Sequence, residues 1–410
     1  MPKTTHMTSK LIQTIGLGLA ASTAGVLAGD DFSSDPVSSI GLTSLTAGGI
    51  GDWAENLSIK NIGTVYKDKS NPIIQEVKFG GRYHHQWGYT DGDISNGPAN
   101  SGDFSGSTQE IRRFRAGASI KFLNGFKAVG SANFESGSAN NNSIQYDGWD
   151  VLYLEYGFGD IAGLEDVTIG YGRYKFGFGG EETSSSKKIK TIERSLLNNY
   201  FAGDRVTGVR LEASHNKTDY TFGVFNTDGD DETFGSWNGG VVLQFGAEFK
   251  ALGGEFNIQG VYRDSTDNVA DETIAYDWAV STTYERELGP FDLFLNGTYG
   301  SDDDGDVYGV VVMPSIDLIE GKLEAVVRYQ WAHSTGNSLR VQSRNTRNVL
   351  SADGFSDPRG NDHHSIYAGL NYFISDHNAK LMVGIEYEDL DGDTGGIEAT
   401  TLWGAVRVFF

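Results

Sequence analysis

Gln75–Tyr89, QEVKFGGRYHHQWGY, reads as a strand with two unlike faces. Val77, Phe79, Gly81, Tyr83, His85, Trp87 and Tyr89 fall on one side, and Lys78, Gly80, Arg82, His84 and Gln86 on the other. The next convincing strand is Ile111–Phe122, where Phe114, Ala116, Ala118, Ile120 and Phe122 share a face opposite Arg113, Arg115 and Lys121. Leu123-Asn124-Gly125 then turns the chain into Phe126–Glu135, in which Phe126, Ala128, Ala132 and Phe134 alternate with Lys127, Val129, Ser131 and Asn133. An Asn-Gly pair between two alternating runs is a hairpin signal.

The same rhythm recurs near 147–157, 166–175, 205–214, 217–226, 238–250, 254–263, 272–285, 290–300, 306–317, 321–332, 364–375, 379–388 and 398–410, which predicts sixteen strands in all. The connections alternate in length. Asn124-Gly125, His215-Asn216, Leu288-Gly289 and Asp376-His377-Asn378 are short; 90–109, 136–146, 176–204, 227–237, 301–306, 332–363 and 389–396 are read as long, mostly acidic loops. Short turns on one side and long loops on the other are the pattern of a transmembrane antiparallel β-barrel, with an even strand count placing both termini on the short-turn side.

Composition agrees. The 410 residues contain 55 Gly, 19 Tyr, 23 Phe and 7 Trp but only 7 Pro, an unusual mixture for a soluble α/β enzyme. There is no cysteine, so neither a disulfide framework nor thiolate chemistry is available. Lys3 and Lys10, the apolar stretch Leu11–Leu27 and the small-x-small Val26-Leu27-Ala28 predict an export signal over 1–28. No later run of 18 apolar residues could form a spanning helix. Residues 29–74 are expected to be a periplasmic or flexible segment before the barrel, which occupies 75–410. Without the signal the formal charge moves from −23 to −25, which argues against nucleic acid as a partner.

The outward face should meet outer-membrane lipid. Leu323, Ala325, Val327, Tyr329 and Trp331 alternate with Glu324, Val326, Arg328 and Gln330, and the last strand sets Leu402, Gly404, Val406, Val408 and Phe410 on one face. Aromatics near strand ends fit the interfacial girdles.

The rhythm stops over Phe176–Asp204, and an uninterrupted loop of that size in a compact β protein is usually functional. Ile189, Ile192, Leu196 and Leu197 follow helical spacing, Ser186 is a candidate N-cap, and Lys187, Lys190 and Arg194 lie on the opposite face. The loop is therefore expected to pack one side on a wall and offer cations on the other.

VKFGGR (Val77–Arg82), IRR (Ile111–Arg113), IGYGR (Ile169–Arg173), FGFGGEETSSSK (Phe176–Lys187), IERSLL (Ile192–Leu197) and FGVFNTD (Phe222–Asp228) resemble, in order, segments of the phosphate-selective porins of the O and P type. The resemblance implies a sixteen-strand homotrimeric outer-membrane porin with its third loop folded into the pore and arginines guiding small anionic or polar solutes. Where the phosphate-selective members carry a constriction lysine, this chain has Glu182.

The candidate pore-lining set is Lys78, Arg82, Arg113, Arg115, Lys121, Lys127, Arg173, Glu181, Glu182, Lys187, Lys190, Arg194 and Arg210, making one wall basic and the other mixed to acidic. Charges in a narrow constriction are screened less than those on distant loops, so these outweigh the net charge. Arg173 has lipid-face parity but sits at a strand end beside the long loop. Two other readings stay open: a general diffusion porin with weak cation preference, for which Glu181 and Glu182 argue, and a non-conducting structural or adhesive barrel. No nucleophile elbow, P-loop, metal-ligand spacing or cofactor motif is present, so no catalysis, metal or cofactor is expected.

Overall fold

The computed structural model describes residues 63–97, 100–135, 143–203, 205–227, 237–265, 274, 276–302, 304–393 and 395–410. The expected export signal and residues 29–62 of the N-terminal segment lie outside the described residues. The strands are β1 (Thr64–Lys67), β2 (Ile74–Ser95), β3 (Ser101–Phe122), β4 (Phe126–Asn133), β5 (Trp149–Ile161), β6 (Leu164–Lys175), β7 (Arg205–His215), β8 (Thr218–Asn226) and β9 (Gly240–Ala251). They continue as β10 (Gly254–Ser265), β11 (Trp278–Leu288), β12 (Phe291–Asp302), β13 (Gly305–Ile319), β14 (Leu323–Ser334), β15 (Asp362–Phe373), β16 (Ala379–Gly392) and β17 (Gly395–Phe409). Among the described residues three short α-helices interrupt them: α1 (Gly180–Thr183), α2 (Leu196–Phe201) and α3 (Arg344–Ala352).

Each strand from β2 to β17 pairs antiparallel with its neighbours, and β17 returns to β2 with Gly396 opposite Ser95 and Phe409 opposite Arg82. The sheet thus closes as sixteen strands with no free edge, which is what a strand protein needs in a medium without water. β1 is additional. It pairs Tyr66 with Val77 and Lys67 with Glu76 at the short-turn end of β2, so part of the segment expected to be flexible is strand.

The alternation sorts residues as the sequence predicts. Phe79, Ile120, Leu154, Ile169, Phe222, Phe245, Val310, Val327, Ile366 and Ile385 are exposed on the outside, where lipid covers them. Several short turns have two successive residues at positive φ, as a primed turn requires, Asn216 and Lys217 among them, matching the right-handed twist of the hairpins.

Three expected loops are strand instead. Across 90–109, β2 and β3 run as 22-residue strands joined between Ser95 and Ser101. The polar composition hides Ile94 and Phe104, which are buried on the inner face and hold the arm in place. Strand also covers 301–302, 305–306, 389–392 and 395–396 of the acidic stretches, with Asp302 opposite Gly305 and Gly392 opposite Gly395. Acidic side chains tolerate an exposed strand face as well as a loop, so charge alone misplaced these boundaries.

Among the described residues, two segments fold inward, 176–203 and 335–361. Phe176, Phe178, Leu196, Leu197 and Phe201 belong to one apolar cluster with Val242, Val261, Ala279, Val307, Val311 and Met313 from β9, β10, β11 and β13. That half of the interior is packed like a protein core. The inner face of β2–β7 is charged instead.

Candidate functional site

The 176–203 segment enters with a non-helical strap between α1 and α2. Its apolar residues bury as predicted, with Ile189, Ile192, Leu196 and Leu197 all 6% exposed or less. The helix expected from Ser186 does not form. Helix α2 begins only after Ser195, whose Oγ accepts from the Asn198 N–H at 3.2 Å, and Ser186 Oγ accepts from Arg82 Nη1 at 2.6 Å.

The reason is a competition for carbonyls. Lys380 Nζ donates to Ile189 O at 2.7 Å, and Asn371 Nδ2 to Lys190 O at 2.8 Å. Arg407 Nη2 donates to Thr191 O and Ile192 O, Arg328 Nη1 to Glu193 O at 2.7 Å, and Gln342 Nε2 to Arg194 O. Six successive carbonyls are taken by wall or loop side chains, so none is left for a helical i to i+4 ladder. Lys380, Arg407 and Arg328 are each 1% exposed or less. They hold the strap and are not free lumen charges.

The strap's own charges are largely spent. Glu182 lies 2.8 Å from both Lys175 Nζ and Arg194 Nη1. Burial alone would raise its carboxyl, but Arg194 and Lys175 outweigh that and hold it below the usual carboxylate range. Glu181 Oε2 accepts from the Ser195 N–H at 2.8 Å, and its Oε1 is 3.5 Å from Arg328 Nη1. Glu193 lies 3.5 Å from Arg112 Nε; against the cost of burial, Arg112, the Gln86 amide and Arg344 bring its carboxyl down to about 2. Lys190 bridges Asp292 at 2.7 Å and Glu324 at 2.8 Å. The face expected to offer Lys187, Lys190 and Arg194 therefore offers only Lys187, half-buried with its Nζ 5.3 Å from the Phe409 ring centre.

The opposite wall is more open. Arg82 and Arg113 are partly exposed, and their side chains touch neutral groups, Ser186 Oγ and, at 3.5 Å, His84 Nδ1. Neither has a carboxylate within salt-bridge distance among the described residues. Arg115 Nη1 pairs with Asp150 at 2.7 Å, a carboxylate that also accepts from Arg205. Lys127 and Arg210 each reach Glu155 at 2.9 Å. Lys78 and Lys121 sit nearer the short-turn end, Lys78 3.2 Å from Glu76 and Lys121 opposite it in register, both exposed. Arg173 is 2% exposed and its Nε donates to Trp149 O at 3.0 Å, so the strand end absorbs it.

Arg112 escaped the sequence reading. Strict alternation sends it to lipid, but the pairing steps from His84–Arg113 to His85–Ile111, leaving Arg112 as the extra residue of a β-bulge. The bulge turns Glu110, Arg112, Arg113 and Arg115 all inward, where they meet Gln86, Glu193, His84 and Asp150. The signal was present: charges at 110, 112, 113 and 115 cannot be divided between two faces without putting one in hydrocarbon.

A family model for phosphate-selective porin O and P matches residues 77–313, more than half of the chain. The chain belongs to that family. It is an outer-membrane porin, a passive channel for small hydrophilic solutes. Solved porins share its fold at low identity. OprB of Pseudomonas putida aligns with TM-score 0.53 and 11% identity over 81% of this chain and 94% of its own. The outer membrane channel DcaP of Acinetobacter baumannii gives 0.53 and 14% over 84% and 99%, and an anion-selective porin from Comamonas acidovorans gives 0.51 and 12% over 82% and 99%. No curated protein sequence matches the chain. In this family member the charged residues of β2–β7 stand beside a strap whose carboxylates are already partnered.

Proposed function

We propose that the channel prefers anions, with inorganic phosphate among its solutes, and that these pass between the strap and the β2–β7 wall. One observation carries the reading: Glu181, Glu182 and Glu193 are all engaged by donors or cations, whereas Arg82 and Arg113 face partly open space with only neutral contacts. A charge in a confined, low-dielectric passage acts on an ion far more strongly than one on an open rim. Glu182, standing at the family's lysine position, is answered by Lys175 and Arg194, so the local balance there is still positive. Several spaced guanidinium groups favour entry without a trap deep enough to prevent exit.

The rim carries the opposite sign. Asp93 lies directly between Asp103 and Glu398 on exposed strand faces, which favours a weakly cation-selective pore as the second reading. The two are separated by the reversal potential of the purified protein in a planar bilayer under a KCl gradient. Anion selectivity that falls on Arg82→Gln with Arg113→Gln supports the proposal; cation selectivity in the unaltered protein rejects it. The rest of the reading is export by a cleaved signal over 1–28, assembly as a homotrimer and no catalysis, cofactor or metal.

A further inference from the structure

The segment between β14 and β15, residues 335–361, reads in the sequence as one more external loop. Its partners are side chains on the inner wall. An antiparallel bridge closes its neck, the Leu339 N–H donating to Gly360 O at 3.0 Å and the Gly360 N–H to Leu339 O at 2.9 Å. Past the neck, the N–H groups of Gln342 and Ser343 donate to the Glu388 carboxylate, which is fully buried on the inner face of β16. Ser343 Oγ then caps α3 by accepting from the Thr346 N–H at 3.1 Å.

Helix α3 lies on β2 and β3. Asn345 Nδ2 donates to Thr90 Oγ1 at 2.6 Å, its Oδ1 accepts from the Thr108 N–H at 3.1 Å, and Arg344 Nη2 lies 3.2 Å from Glu110. The wall is cut back to receive it. A Cβ on Gly88 would stand 2.7 Å from Asn345 Cγ, and one on Gly106 would stand 3.1 Å from Val349 Cγ1. A side chain at Gly88 would push the Asn345 side chain from its place, and one at Gly106 would press on Val349. On its other side the segment meets the strap: Gln342 Nε2 donates to Arg194 O, Asn199 Nδ2 donates to Gln342 Oε1 at 2.9 Å, and Tyr200 shares a hydrogen bond with Ser338 Oγ at 3.1 Å.

We propose that residues 335–361 are a second constriction element, closing the part of the mouth in front of β16, β17, β2 and β3 and bracing the strap, and so setting the size limit for solutes. In the open lumen Glu110, Thr90, Glu388 and Thr401 would face water; all four are 4% exposed or less. Each of the four is engaged by the segment, Glu110 by Arg344, Thr90 by Asn345, Glu388 by the Gln342 and Ser343 N–H groups and Thr401 by Thr346, which suits a fixed restriction and not a lid. The inference rests on the channel itself and is independent of which ion it prefers.

The neck supplies the test. Removing Arg340–Arg359 and joining Leu339 to Gly360 through Asn-Gly extends the β14–β15 hairpin without the plug. Heat-modifiable gel mobility reports a folded barrel, single-channel conductance in KCl reports the opening, and swelling of proteoliposomes in a neutral trisaccharide reports the size limit. Conductance should rise at least roughly twofold and trisaccharide entry should appear. A folded variant that keeps the original conductance and excludes the sugar overturns the proposal. Gln342→Ala with Asn345→Ala, which removes the side-chain bonds to Arg194 O, Asn199, Thr90 and Thr108 in the full-length chain, decides the matter if the shortened chain does not fold. Fluctuating, larger current steps support the assignment, and steady steps of the original size overturn it.

Discussion

Two sets of cations point into the same barrel and do different work. On β2 and β3, Arg82 and Arg113 are partly exposed beside neutral groups. On β14, β16 and β17, Arg328, Lys380 and Arg407 are buried, and each donates to at least one strap carbonyl. Strand parity sends all five inward. What separates them is the strap, whose backbone carbonyls lie against β14, β16 and β17, while the Arg82 and Arg113 side chains keep part of their surface open. On the proposed reading, an inward arginine sets selectivity only where its guanidinium stays partly open.

The sharpest break between the two sets should come from truncating one arginine of each. Arg328→Ala leaves the buried Glu386 carboxylate, now 2.8 Å from Arg328 Nη2, without its cation. Removing one partner of a buried pair costs about 3–5 kcal/mol, so the urea midpoint of the heat-modifiable form should fall steeply. Arg113→Ala should change stability by no more than about 0.5 kcal/mol while lowering anion selectivity. Equal stability losses in the two variants would erase the distinction.

A smaller effect is expected from moving a cation pair between the sets. Glu182→Gln releases Lys175 and Arg194 from their shared carboxylate. The reversal potential should shift further toward the anion limit, and an unchanged potential would mean that these two side chains do not face the solute path.

The smallest effect concerns pH. The Glu193 carboxyl has a folded-state value of about 2, below its ordinary 4.5. A depressed carboxylate contributes stability that is fully present above the ordinary value and is lost as pH falls through the folded one. Current noise from the strap should therefore stay flat from neutral pH down to about 4.5 and rise only as pH approaches 2. Noise growing near pH 6 would point to a different group.

The strand count and the inward position of Arg82, Arg113, Arg115, Lys127 and Arg210 were legible because alternation in a lipid-bounded sheet is a strict constraint. It failed at Arg112, where a bulge steps the parity, and at 90–109, where two buried residues, Ile94 and Phe104, stabilise what a mostly polar composition presents as loop. Helical spacing at 189–197 located the buried residues correctly but not the backbone. The same contacts are met by a non-helical strap once Lys380, Arg407 and Arg328 bind its carbonyls.

The sequence by itself determined a closed barrel, its lipid face, its lumen face and the existence of one long internal loop, since period, turn chemistry and the exclusion of charge from hydrocarbon are local matters. Only the tertiary structure decided which lumen charges remain open and which are anchors, that Glu181 and Glu182 are answered, and that 335–361 turns inward. Those outcomes depend on pairs such as Arg328 with Glu386, Arg82 with Ser186 and Asn345 with Thr90, which lie far apart along the chain and meet only when the barrel closes.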